Sequence, residues 1–139
     1  MMRPEQRDDH SLTRAGEDYL EAIYVLSLDA PDGAVRSVDV AEDLKVSKAS
    51  VNKALSMLKD EGMVNQEHYG KVTLTDDGRA YARLVWRAHR ALRAFLIDEI
   101  GVDEETADEE ACLMEHALSA KTMDLLVGHL KEKGIFIED

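Results

Sequence analysis

Apolar positions in the first part of the chain recur at helical spacing. Over residues 12–28, LTRAGEDYLEAIYVLSL, the side chains of Leu12, Tyr19, Leu20, Ile23, Tyr24 and Leu26 fall on one face, which predicts an amphipathic helix. Thr13 is its expected N-cap, and Glu17 and Asp18 favour the positive end of the helix dipole. DAPDG, residues 29–33, is a turn. Between residues 36 and 64 the pattern shortens into two helices. The first takes Ser37 as N-cap and turns Val40, Ala41 and Leu44 inward; the second takes Ser47 as N-cap and buries Val51, Leu55 and Leu58. KVS (45–47) joins them and Gly62 ends the second. Two short helices so closely spaced predict a helix-turn-helix.

The period then changes to two. MVNQEHYGKVTLT, residues 63–75, alternates about a turn at Tyr69-Gly70 and predicts a two-stranded hairpin, the wing of a winged helix. Thr75 is the expected cap of a long helix over 76–100, stopped by Gly101. A further helix is expected to start near Ala107, and a last one to cover 120–134. The chain therefore predicts a mainly α fold: an N-terminal winged helix-turn-helix with a small β-hairpin wing, then an all-helical C-terminal domain. Residues 1–11 are expected to be a disordered tail, 12–75 the first domain and 76–139 the second. No apolar run reaches the roughly 18 residues of a membrane span, and no signal-peptide pattern opens the chain. A single cysteine excludes an intrachain disulfide framework, and with no export signal the expected location is the reducing cytoplasm.

Charge changes this picture through its distribution. A net charge of −12 argues against nucleic acid. Yet residues 45–59 hold Lys45, Lys48, Lys53 and Lys59 and no acid, whereas residues 98–115 hold nine acids and no Lys or Arg. In a helix-turn-helix the second helix enters the major groove. The face opposite its apolar stripe presents Lys48, Ala49, Ser50, Asn52, Lys53 and Ser56. Lysine serves phosphate or guanine, asparagine pairs with adenine, and serine serves either. Ser37 and Ser47 at the helix starts, and Lys71 within the wing tip (His68 to Lys71), complete the candidate DNA contacts. The bland alternative is a solvated helix face, or a winged helix used for protein contact.

Candidate metal chemistry lies in the acidic region. In ACLMEHALS, residues 111–119, Cys112, Glu115 and His116 share one helical face and offer a thiolate, a carboxylate and an imidazole. A lone cysteine on an amphipathic helix is more often a small core hydrophobe. Asp18 and Glu21 are an i, i+3 carboxylate pair, otherwise ordinary solvated charge. His89 lies among Leu84, Val85, Trp86, Leu92 and Phe95, where a buried histidine is usually structural. No Gly-rich phosphate loop, nucleophile elbow or HExxH motif is present, so an enzyme is not expected.

Taken together, EDYLEAIYVL, the winged helix, LVWRAHRALRAFL and IGVDEETADEEACLMEHALS resemble the diphtheria toxin repressor family of metal-dependent transcriptional repressors, in its two-domain manganese transport regulator-like branch. The resemblance covers about residues 12–137; the chain is too short for the additional SH3-like domain of the larger iron-responsive members. It implies a homodimer joined through the C-terminal helices, metal sites between the domains, and the ligands Asp18, Glu21, His89, Cys112, Glu115 and His116. Position 112 is glutamate in manganese-type and cysteine in iron-type members, so the expected site mixes manganese-like carboxylates with an iron-like thiol. Arg93 and Asp108 stand where the iron-type ancillary site has a Glu and a second His.

The resemblance implies a repressor of metal-homeostasis genes that senses Fe²⁺ or Mn²⁺, with a slight lean to iron; Zn²⁺, Co²⁺ or Ni²⁺ are expected to bind in vitro. Its DNA partner is expected to be double-stranded, with a pseudo-palindromic operator. The alternative is a metal-independent winged-helix regulator that responds to an organic effector.

Overall fold

The computed structural model of the chain describes residues 12–66 and 70–136. It divides into two compact units, Leu12–Arg83 and the part from Leu84 onward.

In the first unit, helix α1 (Arg14–Leu28) starts where the Thr13 side chain accepts a hydrogen bond from the Gly16 N–H, as its sequence predicts. Leu20, Ile23 and Tyr24 turn into the core. Strand β1 (Val35–Arg36) leads straight into α2 (Ser37–Leu44), and α3 (Lys48–Asp60) follows after a turn in which Lys45 takes a left-handed conformation, φ 56°. Ser47 caps α3, accepting from the Ser50 N–H at 3.1 Å. Val51, Leu55 and Leu58 are fully buried; each such burial contributes about 1.5–3 kcal/mol. Strands β2 (Val64–Gln66) and β3 (Lys71–Leu74) form the wing.

Two expectations change here. The wing is a three-stranded antiparallel sheet in the order β1-β3-β2, with Val35 opposite Val72 and Val64 opposite Leu74. Ser37 is not the N-cap of α2. Pairing with β3 holds Arg36 in extended conformation, so Arg36 becomes the cap residue and Ser37 the first helical one. Arg36 faces Lys71 across the sheet; the two cations are offset by Asp39, 3.1 Å from Arg36, and Asp32, 3.8 Å from Lys71. The expected disordered tail, His68 and the turn residue Tyr69 lie outside the described residues.

Helix α4 (Asp76–Phe95) begins at Thr75, whose hydroxyl accepts from the Gly78 N–H and donates to the Gly62 carbonyl. The sequence predicts one helix to residue 100; instead Leu96–Ile100 continues as a π-helical turn before Gly101, φ 85°, stops it. Helix α5 (Glu104–Met114) starts earlier than expected, because the Asp103 side chain caps it from outside the apolar pattern, accepting from the Thr106 N–H. Helix α6 (Ala120–Glu132) is capped by Ser119. The core of this second unit joins Leu92 and Leu96 of α4 and its extension, Ala107 and Ala111 of α5, and Val127 and Leu130 of α6. Polar ties sit at its edge: Arg87 with Asp124 at 2.8 Å, and Glu99 with His129 and Lys133.

Candidate metal centre and nucleic-acid interface

The nucleic-acid candidates belong to the first unit. Every residue proposed for the outer face of α3, from Lys48 and Ala49 through Ser50, Asn52 and Lys53 to Ser56, is exposed, while Val51, Ala54, Leu55 and Leu58 hold the other face in the core. Ser47 is exposed too, but its hydroxyl is engaged with Ser50 at 2.9 Å as well as with the backbone cap. Ser47 is thus first a structural cap. Ser37 is half-buried beside the wing, where a Cβ on Gly70 would lie 3.5 Å from its hydroxyl oxygen. Lys71 is exposed on β3. The first turn of α3 carries no acid, so no carboxylate there offsets the positive end of its dipole.

Tyr81 of α4 secures α1 inside this unit. Its hydroxyl donates to Glu17 and accepts from the Leu12 N–H at 3.1 Å. Glu17 lies in the first turn, where it favours the helix dipole as expected, and is buried with 3% of its surface exposed. The pattern of α1 does contain a signal, since Glu17 lies three residues before buried Leu20 on the same face. Asp18 and Glu21 are half-buried neighbours on α1, as an i, i+3 pair must be.

The remaining metal candidates belong to the second unit, at the end of α5. Cys112 sits on its last turn; Glu115 is the C-cap with φ −59° and ψ −25°, so the chain stays helical long enough to keep Cys112, Glu115 and His116 on one side. Their ligand atoms lie within 4.8 Å of one another. Glu115 is fully buried, and Cys112 and His116 are half-buried. His89 of α4 reaches the same glutamate, with Nδ1 3.3 Å from Glu115 Oε1. On its other side His89 Nε2 lies 2.9 Å from Asp108 Oδ1. Trp86 stacks against the imidazole with ring centroids 5.5 Å apart and planes 8° from parallel. Arg93 and Asp108 are themselves paired at 3.4 Å.

A buried carboxylate is costly unless compensated by a cation or hydrogen bonds. Glu115 faces one imidazole nitrogen and adjoins a thiol and a second imidazole. A thiolate, a carboxylate and two imidazoles are the donor types that divalent iron, cobalt, nickel and zinc accept, and carboxylate with imidazole also suits Mn²⁺. The residues present therefore fit a transition-metal ion. Helical spacing grouped Cys112, Glu115 and His116, and the family resemblance added His89; neither supplied the contacts to Trp86 and Asp108. Among the described residues, no helix is long and apolar enough to cross a membrane.

Two family models match the chain. One is described as iron dependent repressor, N-terminal DNA binding domain, over residues 11–72. The other is iron dependent repressor, metal binding and dimerisation domain, over residues 75–133. The chain is 35% identical over 115 residues to an uncharacterised HTH-type transcriptional regulator of Methanocaldococcus jannaschii, covering 83% of this chain and 91% of that one. It is 38% identical over 113 residues to the HTH-type transcriptional regulator MntR of Bacillus subtilis, covering 81% and 77%. Among solved structures it is similar to a manganese-dependent transcriptional repressor in complex with manganese, with TM-score 0.73, 32% identity, and 84% of this chain matched to 52% of that one. The manganese regulator SloR matches with TM-score 0.73 at 28% identity, over 84% of this chain and 53% of that one. The chain thus spans about half the length of these two solved relatives.

Proposed function

Because this chain belongs to the iron-dependent repressor family, we propose that it is a cytoplasmic, homodimeric transcriptional repressor that binds operator DNA when loaded with Fe²⁺ or Mn²⁺ and so controls metal-homeostasis genes. The observation that supports this best is the convergence of Cys112, Glu115 and His116, with His89 on the same glutamate. Asp18 and Glu21 complete the proposed ligand set. They precede the helix-turn-helix, whereas the other four ligands follow it. Residues 12–75 would then read DNA, and 76–139 would hold metal and dimerise. The relatives are transcriptional regulators, and no catalytic role is assigned to any residue.

Bound metal supplies positive charge to this carboxylate-rich set. The chain's own part is to give that charge a conformational consequence. Ligands drawn from both sides of the helix-turn-helix couple ion binding to the arrangement of the DNA-reading unit. If the ion binds the DNA-competent arrangement more tightly, DNA affinity must rise by the same factor. Neutralised carboxylates also repel phosphate less within a Debye length, about 8 Å at physiological ionic strength. On DNA, Lys48, Lys53 and Lys71 are assigned to phosphate, and Asn52, Ser50 and Ser56 to base edges, with Ala49 giving apolar contact to a thymine methyl group. Ser37 and Ser47 complete the set as backbone contacts at the helix starts. Two such units in a dimer call for a pseudo-palindromic operator with half-sites on a helical-turn spacing.

The deciding experiment is anaerobic DNA binding with Fe²⁺, Mn²⁺ or Co²⁺, followed by a chelator. Affinity should rise with metal and fall with the chelator; equal affinity throughout would remove the metal-sensing role and favour an organic effector. Cys112→Glu replaces a soft donor by a hard one and should move the preference toward Mn²⁺. An unchanged ranking of metals would show that Cys112 does not set selectivity.

A further inference from the structure

His89 is held on three sides by neighbours that fix its chemistry. Its Nε2 lies 2.9 Å from Asp108 Oδ1, its Nδ1 lies 3.3 Å from Glu115 Oε1, and Trp86 covers its plane. An ionised carboxylate has no proton to give. The 2.9 Å contact is therefore one in which Nε2–H donates to Asp108. When the ring is neutral it has a single N–H, so Nδ1 then carries the electron pair on the side of the buried Glu115 oxygen, 3.3 Å away. In that tautomer a ring nitrogen and a carboxylate oxygen lie 3.3 Å apart, and a cation is the partner that suits both. Turning the ring over would put carbon atoms where both contacts are made, and the Trp86 stack hinders that motion.

Asp108 is itself oriented. The oxygen that accepts from His89 also lies 3.4 Å from Arg93 Nε. Its side chain is 61% exposed and that of Arg93 38%, so this ion pair contributes little to stability. Direction is what it can supply.

We infer that Asp108, held by Arg93, is a positioning residue that fixes the tautomer of His89, so that Nδ1 presents its electron pair to a divalent cation shared with Glu115. Its effect on affinity rests on the metal-binding reading above; its geometry does not. Outer carboxylates that hold a ligand histidine in this way typically contribute 10–100-fold in metal affinity. Asp108 itself coordinates nothing.

The test compares Asp108→Asn, Asp108→Ala and Arg93→Ala with the parent chain. An asparagine carbonyl still accepts from Nε2–H; alanine cannot. Nitrogen-15 NMR of the metal-free protein, at a pH where the ring is neutral, should show His89 with hydrogen on Nε2 in the parent and in Asp108→Asn. In Asp108→Ala the two tautomers should mix. Titration with Co²⁺ should then show about 10–100-fold weaker binding for Asp108→Ala, only a few-fold loss for Asp108→Asn and for Arg93→Ala, and the same number of ions bound throughout. A parent His89 with hydrogen on Nδ1, or an Asp108→Ala that binds as tightly as the parent, overturns the inference. So does Asp108→Asn losing as much as Asp108→Ala together with one bound ion, which would make Asp108 a ligand. Failure of the parent chain to bind any Co²⁺ would instead remove the metal-binding reading, while the tautomer measurement would still judge the geometry.

Discussion

Helices α3 and α5 are of similar length, 13 and 11 residues, and each starts at a side-chain oxygen that accepts a backbone N–H three residues on. Beyond that they diverge. The cap of α3 is the neutral Ser47 and its first turn contains no acid. The cap of α5 is Asp103, followed at once by Glu104 and Glu105. Acids stabilise a helix start, so α3 forgoes that stabilisation. A helix whose N-terminal amides are to approach phosphate has reason to keep them unneutralised. At the other ends, α3 finishes at the exposed Lys59 and Asp60, whereas α5 delivers Cys112, Glu115 and His116 to one spot. One helix starts without acids and exposes polar and basic side chains, and the other gathers side chains of the kinds that can hold a cation. A net charge of −12 averages over both and describes neither.

The largest expected effect separates these two functions. Glu115 is the carboxylate common to His89 and to the Cys112–His116 group. Glu115→Gln keeps its volume and removes the anion. Metal affinity should fall by more than about 100-fold, beyond the usual loss of an outer-shell partner, while metal-free DNA affinity stays at the parent level. Calorimetry with Co²⁺ and fluorescence anisotropy on operator DNA measure the two quantities. Loss of metal-free DNA affinity as well would show that Glu115 supports the fold of the reading unit instead.

The second effect concerns the first unit alone. Gly78, on the first turn of α4, has no room for a side chain: an added Cβ would lie 1.9 Å from the carbonyl oxygen of Met63. That carbonyl already accepts from the Thr75 N–H at 3.0 Å, so it is not free to move aside. Gly78→Ala should destabilise by about 3 kcal/mol, the upper part of the ordinary range for overpacking, as read by urea unfolding. Gly33, with nothing within 4 Å of an added Cβ but a φ of 70°, is the control in which only backbone strain acts.

Smaller effects probe the outer face of α3. Lys53→Ala should weaken binding to all duplexes alike and lower the slope of log affinity against log salt by about 1. Asn52→Ala should leave that slope alone and cost about 1–3 kcal/mol on the operator only. Equal effects of both variants on random duplex would assign Asn52 to the backbone.

What could be read in advance follows the same divide. The helices of the first unit announce themselves by period, and the exposed face of α3 is simply the complement of Val51, Leu55 and Leu58. Strand β1 does not, because Val35 and Arg36 are too few to alternate; it exists only through pairing with Val72 and Lys71. That pairing also explains why Ser37 lost its expected cap position. The start of α5 was hidden for a different reason. Its apolar positions begin at Ala107, while its cap lies four residues earlier in a run of acids that carries no period. Within the metal candidates, Cys112, Glu115 and His116 are legible because helical spacing alone brings them together. The surroundings of His89 are not, since Asp108 is 19 residues away and meets it only through the packing of α5 on α4. The partner of buried Glu17 is hidden in the same way, because Tyr81 lies 64 residues on.

The smallest effect returns to the two caps. The Asp103 carboxyl is held below its usual range, first by the backbone N–H of Thr106 that it accepts, then by the Thr106 side chain. A carboxyl whose folded value is depressed stabilises the protein above its unfolded value, and that stabilisation is lost as pH falls through the folded one. Asp103→Asn keeps an accepting oxygen but cannot titrate. The acid limb of the stability curve should therefore be shallower in this variant below the usual carboxylate range, with little change at neutral pH. Thermal unfolding from pH 2 to pH 7 measures it. Ser47→Asn at the start of α3 replaces one neutral cap by another and should leave the acid limb unchanged. If it flattened that limb as much as Asp103→Asn did, the charge at the start of α5 would not be the cause, and the contrast between the two helix starts would lose its electrostatic basis.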